Sequence, residues 1–162
     1  MLRKFIFIIE RFIIKSHYNH LRNKYNLPQS FKFNGKGIVF YGEGRIRIGE
    51  NSYIGSNSRI QAARNATIHI GKGCMISHNV MIYTKTALAD QDFSQSEKVY
   101  KTGDVVIGDF VWIGANVFIN PGIQIGSNTV IGANSVVTHN IGPNMIYGGV
   151  PARLIREKDI CI

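Results

Sequence analysis

Five histidines are the side chains of this sequence best suited to moving a proton near neutral pH, and their neighbours sort them. His17 and His20 fall in an N-terminal stretch of helical periodicity and face solvent. His69 adjoins Ile70 in a strand-like run, so it points outward, and His139 follows Thr138 at a turn. His78 stands beside Asn79 in ISHNV, where strand alternation turns it outward shortly before a long polar segment. That segment, residues 85–104, carries Lys85, Asp90, Asp92 and Phe93 and has no period. Such a length of chain inside a compact domain is functional or partly disordered, and we read it as a loop folded over a site. Two thiols, Cys74 and Cys161, lie far apart without CxxC spacing, which predicts free thiols in a reducing compartment. Arg153, Arg156 and Lys158 give the tail a positive cluster.

The elements that hold these groups are signalled by a period of six. From Ile107 to Gly142 the chain reads IGDFVW, IGANVF, INPGIQ, IGSNTV, IGANSV, VTHNIG. Ile107, Ile113, Ile119, Ile125, Ile131 and Val137 share one position; Val111, Val117, Ile123, Thr129, Ser135 and Ile141 share the position four later. Six is neither the helical 3.6 nor the strand period of two. It fits a solenoid in which each hexapeptide is a short parallel strand plus a turn, with Gly or Asn relieving the turn. The same beat runs through Ile48, Ile54 and Ile60, slips by four at a bulged corner or small loop around Arg64-Asn65, and resumes at Ile70, Ile76 and Ile82. Cys74 takes an inward position and reads as core. Residues 29–47 alternate apolar and polar and predict strands that enter at imperfect register. Pro143 ends the repeat, and residues 143–162 are expected to form a cap of a strand and a short helix.

The 162 residues fit one domain, and the net charge is +9. Residues 1–36 hold eight Lys/Arg against one acid, Glu10, a net of +7, so the repeat is close to neutral. This argues against a nucleic-acid-binding solenoid and puts an anionic partner at the N-terminus. Residues 2–25 lack Gly and Pro and place Phe5, Ile8, Ile9, Phe12 and Ile13 on one face; Leu27-Pro28 ends the run. Residues 1–28 are thus expected as an amphipathic helix and residues 29–158 as the solenoid domain. The apolar part contains Glu10 and Arg11, too short and too charged to span a bilayer, and it lacks the core and cleavage site of a signal peptide. Two placements stand: packed over the solenoid end or a neighbouring subunit, or lying on an anionic leaflet, which would put a cytoplasmic protein at the inner face of the membrane.

VWIGANVFINPGIQIGSNTVIGANSVVTHNI followed by YGGVPARLIRE resembles the hexapeptide-repeat acyltransferases, in particular the sugar O-acetyltransferase branch of galactoside, maltose and polysaccharide-modifying enzymes. The resemblance covers residues 46–158. It implies an all-β fold, a left-handed parallel β-helix with three hexapeptides per coil, contrary to the usual crossover hand. An N-terminal α-helix and a short C-terminal cap flank it. It also implies a homotrimer with acetyl-CoA clefts between adjacent subunits and a saccharide acceptor. Position by position, Asn79 matches an acceptor contact and Trp112 the wall of the transfer site. Ala115, Ala133 and Thr138 match the flanks of the pantetheine arm, and Arg153 and Arg156 lie toward the cofactor's nucleotide end, where phosphates need cations. Tyr83, Lys85, Asp90, Asp92 and Phe93 are candidates for acceptor recognition, Tyr83 and Phe93 as aromatic faces for a sugar. Zinc solenoids resembling carbonic anhydrases use a closely spaced His pair and a third His; His69 and His78 do not follow that pattern, and no metal is expected.

The family's general-base His falls on Ala87. A hydroxyl attacking a thioester needs a base near neutral pH, and losing one costs roughly 100- to 10,000-fold in rate. Three explanations stand: a deliberate His-to-Ala change, a substitute base at His78 or Asp90, or natural loss of activity. The expected function is acetyl-CoA-dependent O-acetylation of a sugar in a bacterial surface polysaccharide or its precursor, impaired at Ala87. The alternatives are N-acetylation of a nucleotide-linked amino sugar, whose amine depends less on a protein base, and a non-catalytic trimeric saccharide-binding scaffold.

Overall fold

The structure, a computed structural model, describes residues 2–160; Cys161 lies outside the described residues. The six-residue period closes into a three-sided β-solenoid of about five turns. The first face stacks Lys32–Asn34, Tyr53–Gly55, Met75–Ile76, Trp112–Ile113, Val130–Ile131 and Met145–Gly148, all parallel. The second stacks Val39–Tyr41, Arg59–Gln61, Met81–Tyr83, Phe118–Ile119 and Val136–Val137. The third stacks Arg45–Ile48, Thr67–Ile70, Val105–Ile107 and Gln124–Ile125.

Register sets the core. Phe33, Ile54, Ile76, Ile113, Ile131 and Tyr147 align on the first face. Phe40, Ile60, Ile82, Ile119 and Val137 align on the second, and Ile48, Ile70, Ile107 and Ile125 on the third. Most of these side chains are fully buried, each contributing roughly 1.5–3 kcal/mol. The second inward position tolerates small hydroxyls because each bridges backbone groups of adjacent turns. Ser52 Oγ donates to Gly71 O (2.8 Å) and accepts from Cys74 N (2.9 Å), and Thr129 Oγ1 donates to Gly142 O (2.8 Å). Cys74 is buried core as expected, and burial pushes its thiol up.

Asparagines take left-handed backbone at the corners, for example Asn51, Asn79, Asn116 and Asn134 at φ 57–60°. Phe110 adopts φ 57° at a corner position filled by Asn51, Gly73, Asn128 and Asn144 in the other turns.

Three expectations are corrected. Residues 29–47 are not out of register: they supply the first complete coil, and the extra residues are absorbed at corners by Gly35, Gly37 and Gly42, all at positive φ. Among its described residues the cap contains no helix; Arg153–Glu157 instead folds back antiparallel on Met145–Gly148, covering the last edge of the first face. The excursion, expected as a loop throughout residues 85–104, pairs Lys85–Ala87 antiparallel with Tyr100–Thr102 as a hairpin.

The helix spans Leu2–Lys24. Its last turns pack on the coil: Leu21 and Leu27 are buried, Tyr18 stacks on Phe33 at 4.3 Å, and Arg22 donates to Pro28 O and Phe31 O, while farther up Glu10 pairs with Lys36 at 2.6 Å. Phe5, Ile9 and Phe12 point roughly half a turn away from Tyr18, Leu21 and Tyr25. Within one chain, packing over the solenoid end therefore holds for the end of the helix and not for its apolar stripe. No helix among the described residues is long and apolar enough to cross a membrane.

Candidate functional site

The corners of the coil separate the residues singled out by sequence. At the corner between first and second faces lie His78, Asn79, Ala115 and Ala133. Asn79 Nδ2 donates to Asn116 Oδ1 (3.0 Å), and Asn116 Nδ2 donates to Asn134 Oδ1 (2.9 Å). This ladder stitches three coils along the edge, and Asn79, exposed at its start, keeps its Oδ1 free of protein hydrogen bonds among the described residues. Beside it the small side chains of Ala115 and Ala133 keep the edge low. Asn116 and Asn134 were legible in principle, as the same letter at one repeat position in IGANVF and IGANSV.

His78 is exposed on this edge, and Ser56 N donates to its Nδ1 at 3.0 Å. Gly55 makes room for the ring, since a Cβ there would lie 2.8 Å from Nδ1. With the Nδ1 lone pair occupied, the neutral ring carries its proton on Nε2. It then presents a donor to solvent, not a base.

Trp112 stands on the first face, 47% exposed, in register between Met75 and Val130. Tyr53 and Ile146 continue the outward row. The second face is also apolar outside: Val39, Met81, Phe118 and Val136 with one cation, Arg59. Tyr83 packs edge-on to Phe118 (5.2 Å) and Tyr41 (6.4 Å). Burial, and after it the Tyr83 hydroxyl, push Tyr41 up to about 12. The third face differs, presenting Arg45, Arg47, His69 and Gln124.

The hairpin leaves the corner between second and third faces. Buried Thr84 pins its root, accepting from Ala63 N (2.7 Å) and donating to Gln61 O (3.1 Å). On the return side Asp104 Oδ1 accepts from Thr67 N at 2.8 Å. Ala87 is half-buried directly across from Tyr100, which the sequence did not single out because pairing across the hairpin has no periodic signal. Lys85 Nζ lies 4.0 Å from the Tyr100 ring centroid. At the tip, Gln91 bonds Leu88 O and Val99, and Asp92 caps Ser94 N (2.9 Å) and Gln95 Nε2 (2.9 Å), bonds that hold its carboxyl down at about 2. Asp90 and Phe93 are exposed there.

Thr138 shares the hairpin's corner and not the asparagine edge, and His139 tilts toward Tyr147 (5.7 Å). Arg153 and Arg156 are exposed on the cap strand, Arg156 within 3.4 Å of Asp159. The chain thus carries two separated groups: Trp112 with the asparagine edge, and the hairpin with Ala87. Among the described residues no three His, Cys, Asp or Glu side chains converge as a metal site.

Residues 104–139 match the family described as bacterial transferase hexapeptide (six repeats), and residues 45–84 match the hexapeptide repeat of succinyl-transferase. Galactoside O-acetyltransferase of Escherichia coli (strain K12) is 38% identical over 120 residues, 74% of this chain, which spans only 58% of that relative's length. A putative acetyltransferase of Dictyostelium discoideum is 34% identical over 154 residues, 93% of this chain and 80% of the relative. Among solved structures, a hexapeptide-repeat acetyltransferase of Vibrio cholerae O1 biovar eltor in complex with acetyl-coenzyme A superposes with a TM-score of 0.70 at 32% identity, covering 90% of this chain and 78% of that one.

Proposed function

The chain belongs to the hexapeptide-repeat transferase family, and from that membership we propose that it transfers an acetyl group from acetyl-CoA to a sugar hydroxyl of a surface polysaccharide or its precursor. The observation that carries this reading is the outward Trp112 beside an edge kept low by Ala115 and Ala133, a wall and channel suited to a thioester and its pantetheine arm. Arg153 and Arg156 on the cap strand would meet the donor's phosphates. Asn79 Oδ1, Tyr83 at the end of its second-face strand and the hairpin side chains Lys85, Asp90, Asp92 and Phe93 would meet the acceptor.

The two groups of residues lie on different corners of one chain, so one complete site draws on two subunits. A homotrimer supplies this: two apolar outer faces meet neighbours, and the third, bearing Arg45, Arg47 and His69, faces water. The Trp112 edge of one subunit then faces the hairpin of the next.

In the transfer, the acceptor oxygen attacks the thioester carbonyl carbon, its proton passes to a base, and the C–S bond breaks to release CoA. Position 87 offers only a methyl group for the proton step. His78 cannot substitute while Ser56 N–H holds its Nδ1; its Nε2–H is suited to donating to the carbonyl oxygen as charge develops. Turnover is therefore slow in this chain. The same gap favours the second reading, N-acetylation of an amino sugar, since a neutral amine attacks without prior deprotonation.

Calorimetry with CoA, followed by thiol release from acetyl-CoA with saccharides and amino-sugar nucleotides as acceptors, tests both readings. One CoA per chain and faster release with saccharides are expected. Faster release with amino sugars would shift the assignment to the second reading, and no CoA heat would leave a non-catalytic scaffold. Residues 2–25 would set the protein against the inner face of the membrane, a reading supported by their exposed apolar stripe.

A further inference from the structure

The first half of the N-terminal helix carries an apolar stripe turned away from the coil. Phe5, Ile8, Phe12 and Ile13 are 60–73% exposed. Along one flank of the stripe Lys4, Arg11, Lys15 and Arg22 follow one another at spacings of seven, four and seven, so they form one row down the helix. This row overhangs a groove of about 900 Å³ between the helix and the first coil, whose far wall carries Lys32 and Phe33. A second hollow of about 620 Å³ continues along Lys4, Phe7 and Arg11.

The cations divide by their partners. Arg22 is engaged by backbone carbonyls, and Lys36 by Glu10, the one acid of the stretch, at 2.6 Å. Among the described residues Arg11, Lys15 and Lys32 have no ion-pair partner. They form an unneutralised cationic strip directly beside exposed apolar surface.

We propose that this helix lies in the headgroup–acyl boundary of an anionic lipid leaflet, with Phe5, Ile8, Phe12 and Ile13 inserted and Arg11, Lys15 and Lys32 holding lipid phosphates in the groove. The proposal deepens the membrane placement above and does not depend on acyl transfer. Charge decides between occupants. A second copy of the chain seated on the stripe would bring two like-charged rows together, each from a segment of net +7, with only Glu10 to offset them. An anionic leaflet neutralises the row, and the long Lys and Arg stems reach headgroups while the stripe stays below.

Flotation of the full chain with vesicles tests this, using phosphatidylcholine alone and phosphatidylcholine mixed with phosphatidylglycerol, at low and high salt. The chain is expected to float with the mixed vesicles only, and less at high salt. The double variants Arg11→Glu/Lys15→Glu and Phe12→Asp/Ile13→Asp should each lower partitioning by about tenfold or more. Both should keep the parent melting temperature and CoA heat, because these side chains lie outside the coil. Equal partitioning to the two vesicle types, failure to float, or unchanged partitioning of both variants overturns the proposal. So does a Phe12→Asp/Ile13→Asp variant that loses mass in sedimentation while still floating, since the stripe would then be covered by another copy. Absence of CoA heat in the parent chain would sink the acyl-transfer reading and leave this one standing.

Discussion

Ala87 sits on a hairpin whose roots are fixed by Thr84 and Asp104, so a larger side chain there meets an ordered frame. Ala87→His should raise acetyl transfer to saccharides by roughly 100- to 10,000-fold, read as thiol release from acetyl-CoA. Ala87→Gln, polar but not basic, should give no such gain. If the two variants match, position 87 does not carry the proton. Phe110 poses a separate question of backbone. Its left-handed φ of 57° costs a residue with a Cβ roughly 1–2 kcal/mol, while Asn tolerates it. The ring covers Gly73, where a Cβ would come within 2.5 Å of it, and lies 5.7 Å from Lys72 Nζ, yet remains 55% exposed. Phe110→Asn is therefore expected to raise the melting temperature by about 2–8 °C. A lower melting temperature would mean that the ring's packing on Gly73 outweighs the backbone cost.

At the scale of elements, the second face owes its character to an aromatic cluster that no hexapeptide pattern specifies: Tyr41, Tyr83 and Phe118 come from three different coils, with Gln61 in register between the two tyrosines. Folding raises Tyr41 above the ordinary phenol value of 10.0, to about 12, because the neutral form is favoured in the fold. The stabilisation from this shift is complete below pH 10, declines as pH rises, and is gone above about 12. Melting temperatures should fall across that window, and Tyr41→Phe should remove part of the fall. An absorbance titration in which every tyrosine ionises near 10 would contradict it. The hairpin and the cap show the same limit of pattern reading. Both are antiparallel, and antiparallel pairing depends on where the chain turns back, not on a repeat.

For the molecule as a whole, one consequence of the two-subunit site can be tested without substrate. Met81 points outward from the second face, so Met81→Asp should leave the coil folded but oppose burial of that face against a neighbour. Sedimentation should shift from a trimer to a monomer, with loss of CoA heat and unchanged circular dichroism. A variant that stays trimeric would move the interface elsewhere.

By itself the sequence determined the solenoid, its inward ladders, the slip at Arg64-Asn65, the buried Cys74, the helix and the absence of an imidazole at position 87. The solenoid features follow from residue type at a repeated spacing of six, because one coil contacts the next at the same register; the helix follows from its own apolar period, and the meaning of position 87 came only from resemblance to the family. Only the tertiary structure decided the rest. It separated Trp112 and the asparagine edge from the hairpin, paired Ala87 with Tyr100, and occupied the His78 lone pair with Ser56 N–H. It also turned the helix's apolar stripe away from the coil. These depend on which corner a residue reaches and what closes over it, and neither is encoded in the period of six.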